Sequence, residues 1–226
     1  MQYFSIIIPT INESLSIEHS LQKLIPLIKE GHEIIVVDGG SEDETLSICK
    51  NYTDKVFNSK KGRALQMNLG ALHATNDILV FLHADTLLPN NVTPLILNAL
   101  KKSESQWGRF NVKFNDKNFI MSIVALLMNI RSCITGIVTG DQTLFVKKEL
   151  FNKINGYKEI PLMEDIELSK SLKKYSKPIC LSASVISSSR RWQTKGYLRT
   201  ILLMWKLRFL YFFGVSANRL VKQYNS

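Results

Sequence analysis

Followed from the N-terminus, the apolar positions of this chain alternate between two periods. Unbroken β-branched and aromatic runs at Phe4–Ile8, Glu33–Val37 and Ile78–Leu82 read as strands buried on both faces. Between them the spacing becomes helical. Leu15 to Lys29 predicts a helix that Pro26 would kink and Gly31 would end, and Arg63 to Ala74 predicts another with Leu65, Leu69 and Leu72 along its apolar face. Ser41 and Glu44 have the spacing of a capping box ahead of an apolar face at Thr45, Ile48, Cys49 and Tyr52, so Gly39-Gly40 turns a strand into a helix start. Three such β-α steps predict a right-handed parallel sheet with helices on both faces.

The pattern changes after a helix near Val92 to Lys101. From Trp107 to Phe114 the last five residues alternate like a strand exposed on one side, which predicts a shift from a parallel to a mixed sheet. Phe119 to Ile130, about twelve residues, is too short to span a bilayer and reads as a buried or interfacial helix. Gly196 to Val215 is rich in aromatics but carries Arg199, Lys206 and Arg208, which a simple transmembrane helix would have to place in hydrocarbon. Two readings stay open for it: a helix on a membrane surface, or one packed on the domain. The expected architecture is therefore α/β, with a mainly parallel mixed sheet flanked by helices over residues 1–195. An amphipathic helical extension over 196–226 is either part of the same unit or a membrane-surface anchor.

Composition sharpens this picture in two respects. The formal charge of +10 is concentrated at the C-terminal end: after Glu167 there are twelve Lys and Arg and no acid, so the remainder is slightly acidic. A chain-wide nucleic-acid partner loses its main support. The odd number of widely spaced cysteines (Cys49, Cys133, Cys180) gives neither a complete disulfide framework nor a metal-ligand spacing, and predicts buried thiols in a reducing compartment. Tyr3 to Ile8 is too short for a signal-peptide core, and a cytoplasmic location is the default expectation.

Four acidic motifs recur in fixed order: Asp38 in IIVVDGGSEDET, Asp85 in ILVFLHADT, Asp141 in GDQ, and Glu164-Asp165 in MEDIELS. The first two follow strand runs, which puts their carboxylates at strand C-terminal ends, where α/β sheets bind ligands. Asp38 alone would also suit a dehydrogenase. The first turn, however, lacks G-x-G-x-x-G, and a pyrophosphate could not approach Pro9-Thr10-Ile11-Asn12 as it does a glycine turn. A nucleotidyltransferase would want a glycine- and lysine-rich triphosphate loop that this N-terminus lacks, and a non-catalytic nucleotide- or membrane-binding module would have no need of Asp165.

Together with Ile8-Pro9-Thr10-Ile11-Asn12-Glu13 and Arg190-Arg191-Trp192, these motifs resemble the family 2 glycosyltransferases, and more narrowly a bacterial subgroup of small enzymes with GRALQMN-like and FLHADT-like signatures. The resemblance runs from Phe4 to about Leu220. It implies a GT-A fold, a nucleotide-diphosphate sugar donor (UDP-linked favoured over GDP-linked), Mg²⁺ or Mn²⁺, and inverting transfer to a hydroxyl acceptor. The basic aromatic tail suggests a lipid-linked or otherwise membrane-associated acceptor hydroxyl.

By the same resemblance, the donor side comprises Pro9, Thr10, Asn12, Glu13, Asp38, Gly39, Arg63, Asp85 and Arg191, with Asp38 accepting from the pyrimidine N–H. Asp85 occupies the metal position of the DxD motif; His83 replaces its first Asp and stands as an uncertain second ligand, a phosphate contact or a core residue. Inversion needs a base opposite the leaving group, and Asp165 is the choice for it. Asp141, Glu164 and Trp192 fall on the acceptor side. The Gln of the processive Q-x-x-R-W motif is Ser188 here, so processivity is not implied.

Overall fold

The computed structural model of the protein describes residues 2–116 and 118–225; the last residue of the expected 196–226 extension lies outside them. Strands β1 (Phe4–Thr10), β2 (Glu33–Asp38), β3 (Val56–Asn58), β4 (Ile78–Phe81), β5 (Thr86–Leu87), β6 (Trp107–Phe114), β7 (Leu144–Lys147) and β8 (Ile179–Ser187) form one sheet in the order β3-β2-β1-β4-β7-β6-β8-β5. The β3-β2-β1-β4 half is parallel, and β7 runs antiparallel to both β4 and β6. The sheet is therefore mixed, as the pattern at Trp107–Phe114 predicts. β1 passes through Pro9, where closure was expected. Its ladder with β4 ends at Ile7↔Phe81, so the missing N–H of Pro9 breaks no bond on that side.

Period-2 alternation divides the core between the two sheet faces. Phe4, Ile6, Ile8, Ile34 and Val36 pack with Ile17, Leu21, Leu24 and Leu27 of α1 (Ser14–Lys29), which accommodates Pro26 internally. Ile7, Ile35, Val37, Leu79 and Phe81 pack on α3 (Arg63–His73). The expected leucine face of α3 is not the one that docks: Ala64, Gln66, Met67, Gly70 and Ala71 are buried, whereas Leu72 is 75% exposed. A Cβ at Gly70 would collide with Ile7, so the close approach of helix to sheet selects the small residues.

The capping box also fails. The Ser41 hydroxyl is bonded to Asp38, and Asp43 accepts from the Thr45 amide at 3.0 Å at the start of α2 (Thr45–Lys50). Helices α4 (Val92–Lys102), α5 (Phe119–Thr135), α6 (Lys148–Lys153), α7 (Glu164–Leu172), α8 (Arg190–Lys195), α9 (Tyr197–Phe212) and α10 (Ala217–Asn225) complete the chain. Asn118 caps α5 by accepting from the Ile120 amide, and Gly136, at φ 68°, ends it in the left-handed conformation that favours glycine.

Cys133 on α5 is joined to Cys180 on β8 in a disulfide, Cα–Cα 5.9 Å, and only Cys49 is a free buried thiol. This corrects the expectation of three thiols and removes the cysteine argument for a reducing compartment: a separation of 47 residues carries no information about a contact made when a helix crosses a sheet. Among the described residues, no helix is long and apolar enough to cross a membrane.

Candidate active site

The C-terminal ends of β1 and β2 lie side by side, Thr10 in register with Asp38. Asp38 is buried and acts as the acceptor that shapes its own turn: one oxygen takes the amides of Gly40 and Ser41 at 2.8 and 2.7 Å, the other the Thr10 hydroxyl at 3.2 Å and that of Ser41. Asn12 joins the β1 turn to the β2 turn by donating its amide to the Ser41 hydroxyl and accepting from the Glu42 amide. Gly39 leaves room for the Gln66 carboxamide, whose nitrogen donates to the carbonyls of Thr10 and Val37. Gln66 is thus a structural tie beneath the turns. Asn68 likewise bonds the backbone of Tyr157.

A second group gathers beyond β4. His83 Nδ1 lies 3.5 Å from Asp141 Oδ1, and the Gly140 amide donates to Asp165 Oδ2 at 2.8 Å. Gly140 is required by the packing: a Cβ there would run into the His83 ring and come within 3.2 Å of Asp165 Oδ2. Glu164 is buried, 3.7 Å from Arg63. Burial raises the pKa of both Glu164 and Asp165, and mutual repulsion adds to the effect at Glu164. Burial likewise raises that of Asp85, opposed by the charge of His83. At Asp141 burial is outweighed by His83, with Arg63 and Arg208 contributing, and the carboxyl is held below its ordinary value. Two of the non-glycine residues with positive φ flank this group in sequence, Thr143 (47°) after the Gly140–Gln142 turn and Met163 (71°) immediately before α7.

Glu13 reaches the far end of the chain, where its carboxylate binds Arg190 at 2.9 Å. Arg191 stacks on Tyr224 of α10, 3.6 Å from the ring centroid, and donates to the Tyr224 carbonyl. Trp192 packs edge-on to Phe114, ring centroids 5.8 Å apart. Arg191 and Trp192 are therefore engaged by the fold itself. The sequence reading missed Arg208, whose charge acts on both Asp141 and Asp165; a single arginine in a basic aromatic tail carried no distinguishing signal. A cavity of 580 Å³ lined by Leu65, Leu69, Leu72, Phe151 and Asn155 contains none of these carboxylates.

The donor set at the β4 end is the carboxylates of Asp85 and Asp141 with the imidazole of His83. His83 turns Nδ1 to Asp141 and leaves Nε2 buried without a hydrogen-bond partner. Among the described residues no three His, Cys, Asp or Glu side chains come close enough together to form a metal site; a divalent cation here would rest on Asp85 and take most of its ligands from substrate phosphates.

A sheet that is parallel over its first four strands, with an antiparallel β7 and acids gathered at the strand ends, defines the GT-A class of nucleotide-sugar-dependent folds. Glycosyl transferase family 2 matches residues 5–146, and the chain belongs to that family. It is 23% identical over 190 residues to the probable glycosyltransferase YdaM of Bacillus subtilis, covering 73% of this chain and 45% of that protein. The chain spans less than half the length of the curated relatives it matches. Staphylococcus aureus TarS 1-349 in complex with UDP superposes with a TM-score of 0.66 at 20% identity, covering 83% of this chain and 60% of that one. The mannosyltransferase PcManGT from Pyrobaculum calidifontis, in complex with GDP-Man and Mn²⁺, superposes with a TM-score of 0.63 at 20% identity, covering 91% and 60%.

Proposed function

We propose that the protein is an inverting glycosyltransferase that moves a hexosyl or related sugar from a nucleotide-diphosphate donor, UDP-linked by preference, to an acceptor hydroxyl. The observation that carries this reading is the alignment, along one end of the sheet, of the Asp38 turn, the Asp85–His83–Asp141 group and the half-buried Asp165. In this reading Pro9, Thr10, Asn12, Glu13, Asp38 and Gly39 hold the nucleoside. Asp85, with His83 beside it, would hold Mg²⁺ or Mn²⁺ together with the donor phosphates, and Arg63 and Arg191 face the diphosphate. The metal supplies charge neutralisation to the departing diphosphate.

Asp165 is the base. Its Oδ2 is fixed by the Gly140 amide, leaving Oδ1 to receive the acceptor proton. The acceptor oxygen then bonds to the anomeric carbon while the bond to the diphosphate oxygen breaks and the electron pair leaves with the nucleotide. Glu164, committed to Arg63, orients rather than abstracts. Asp141, Glu164 and Trp192 border the acceptor.

Residues 1–195 form the catalytic unit in this proposal. The 196–226 segment holds the enzyme at the inner face of the cell membrane, where a lipid-linked acceptor would be presented. Support comes from the tail's unopposed basic charge and the exposed aromatic side of α9. Calorimetric titration with UDP and GDP, with and without Mn²⁺, tests the donor site. Metal-dependent binding that Asp85→Ala abolishes is expected; binding of neither nucleotide would overturn the reading.

A further inference from the structure

Arg109, Arg131 and Arg208 converge where β6, α5 and α9 meet. Arg109 is 2% exposed; it donates to Asn111 and, at 2.8 Å, to the Asn129 carbonyl of α5, and its Nε has no partner. Two residues further along α5, half-buried Arg131 has both Nε and Nη2 buried and without a hydrogen-bond partner. The charges that act on Arg131 are those of Arg208 and Arg109, both positive, and burial together with them lowers its pKa to about 10. Arg208 in turn faces Asp141 and Asp165.

A structural arginine of this burial would have its fork filled by a carboxylate or by carbonyls, because an uncompensated charge held out of water among like charges is destabilising. Arg131 has neither. Its buried, unpartnered pair of donors, Nε and Nη2, is the pair that grips two oxygens of a tetrahedral oxyanion side by side. The network behind it is built to hold position. Gln142 of the Gly140–Gln142 turn bonds Ser132 at 2.8 Å and Asn129 at 3.3 Å, and Asn129 is bonded in both directions to the backbone of Val112.

We infer that Arg131 and Arg208, with Arg109 beneath them, bind a phosphoryl group carried by the acceptor, next to the carboxylate that takes its proton. This deepens the glycosyltransferase reading and rests on it for the word acceptor. The site itself stands on the three arginines. It would recognise a phosphomonoester or phosphodiester head, whether on a soluble molecule or at a lipid surface.

The test uses the full chain, with UDP and Mn²⁺ present to fill the donor side, titrated with methyl phosphate and, separately, with vesicles containing phosphatidic acid in phosphatidylcholine. Wild type is expected to bind methyl phosphate, and both Arg131→Gln and Arg208→Gln to weaken it by about tenfold or more, with UDP binding of Arg131→Gln unchanged. Arg131→Lys, which keeps the charge and loses the fork, should fall between. Without ligand, Arg131→Gln should melt no lower than wild type, since it removes repulsion; a merely structural arginine would give the opposite. Vesicle binding that falls with Arg131→Gln, over and above what the basic tail supplies in both proteins, would assign the phosphoryl group to a lipid. Equal methyl phosphate binding by wild type and Arg131→Gln, or no methyl phosphate binding by wild type, would overturn the proposal. Failure of wild type to bind UDP would instead strike the donor reading and leave the phosphate titration interpretable.

Discussion

With Oδ2 tied to the Gly140 amide at 2.8 Å, Asp165 has one oxygen to offer, and burial raises its pKa from its ordinary value. A base must be unprotonated, so a raised pKa moves the acid limb of the rate profile upward: kcat should fall as pH drops through the raised value, at higher pH than a solvent-exposed aspartate would give. Asp165→Asn should lower kcat by about 10²–10⁴-fold and abolish that limb, with UDP affinity preserved; an unchanged kcat would remove Asp165 from the mechanism. Gly140→Ala addresses the same geometry from the other side. The added methyl has to displace the His83 ring, so metal-dependent nucleotide binding should weaken by about tenfold, measured calorimetrically, while the fold persists. His83 and Asp165 were visible in the sequence as members of motifs. That Gly140 lets both pack against its backbone was not, because a glycine demanded by packing looks in a sequence like a glycine demanded by a turn.

At the scale of elements, legibility followed burial. The runs at β1, β2 and β4 are buried on both faces, so an unbroken apolar stretch identifies them with little room for error. β7 has four residues, and β8 carries Ser182 and Ser184 with a register shift against β6 at Phe110/Asn111, so neither presents a clean period. α3 was placed correctly and turned the wrong way, since leucine spacing is a guide only where the helix stands far enough off the sheet to need large side chains. One polar element of the sheet yields a stability prediction. Glu33, at the start of β2, accepts from Ser5, the Thr75 amide and Lys55, and despite burial its pKa is held down to about 2. A carboxyl with a depressed folded-state pKa contributes stability that is present above its unfolded value and lost as pH falls towards the folded one. Unfolding midpoints should therefore drop between pH of about 4.5 and 2, and Glu33→Gln should cost about 1–2 kcal/mol at pH 7 and flatten that drop. A pH-independent difference between the two proteins would count against the Glu33 account.

At the scale of the whole molecule, the two readings left open for the tail prove compatible. One side of α9 packs on the domain, with Leu207, Leu203 and Leu210 against Met163 and Leu220. The other side exposes Leu198, Leu202, Trp205, Phe209 and Phe212, which recur at helical spacing along a single stripe. α5 exposes a similar stripe through Phe119, Ile123, Leu127, Ile130 and Ile134. Apolar surface of this extent is stable in water only at a cost, and the tail's five basic residues, with no acid among them, supply attraction to anionic lipid. Each large side chain moved into the acyl boundary contributes roughly 1.5–3 kcal/mol, so losing two should be decisive. Trp205→Glu combined with Phe209→Glu is expected to reduce co-sedimentation with phosphatidylserine vesicles by more than about tenfold. Added salt should weaken wild-type binding in part, because screening acts on the basic residues and leaves the apolar stripe in place. UDP binding in the same variant should equal wild type, since neither residue touches the donor side. If vesicle binding survives the double substitution, the stripe on α9 is not the membrane contact, and the exposed side of α5 becomes the face to substitute.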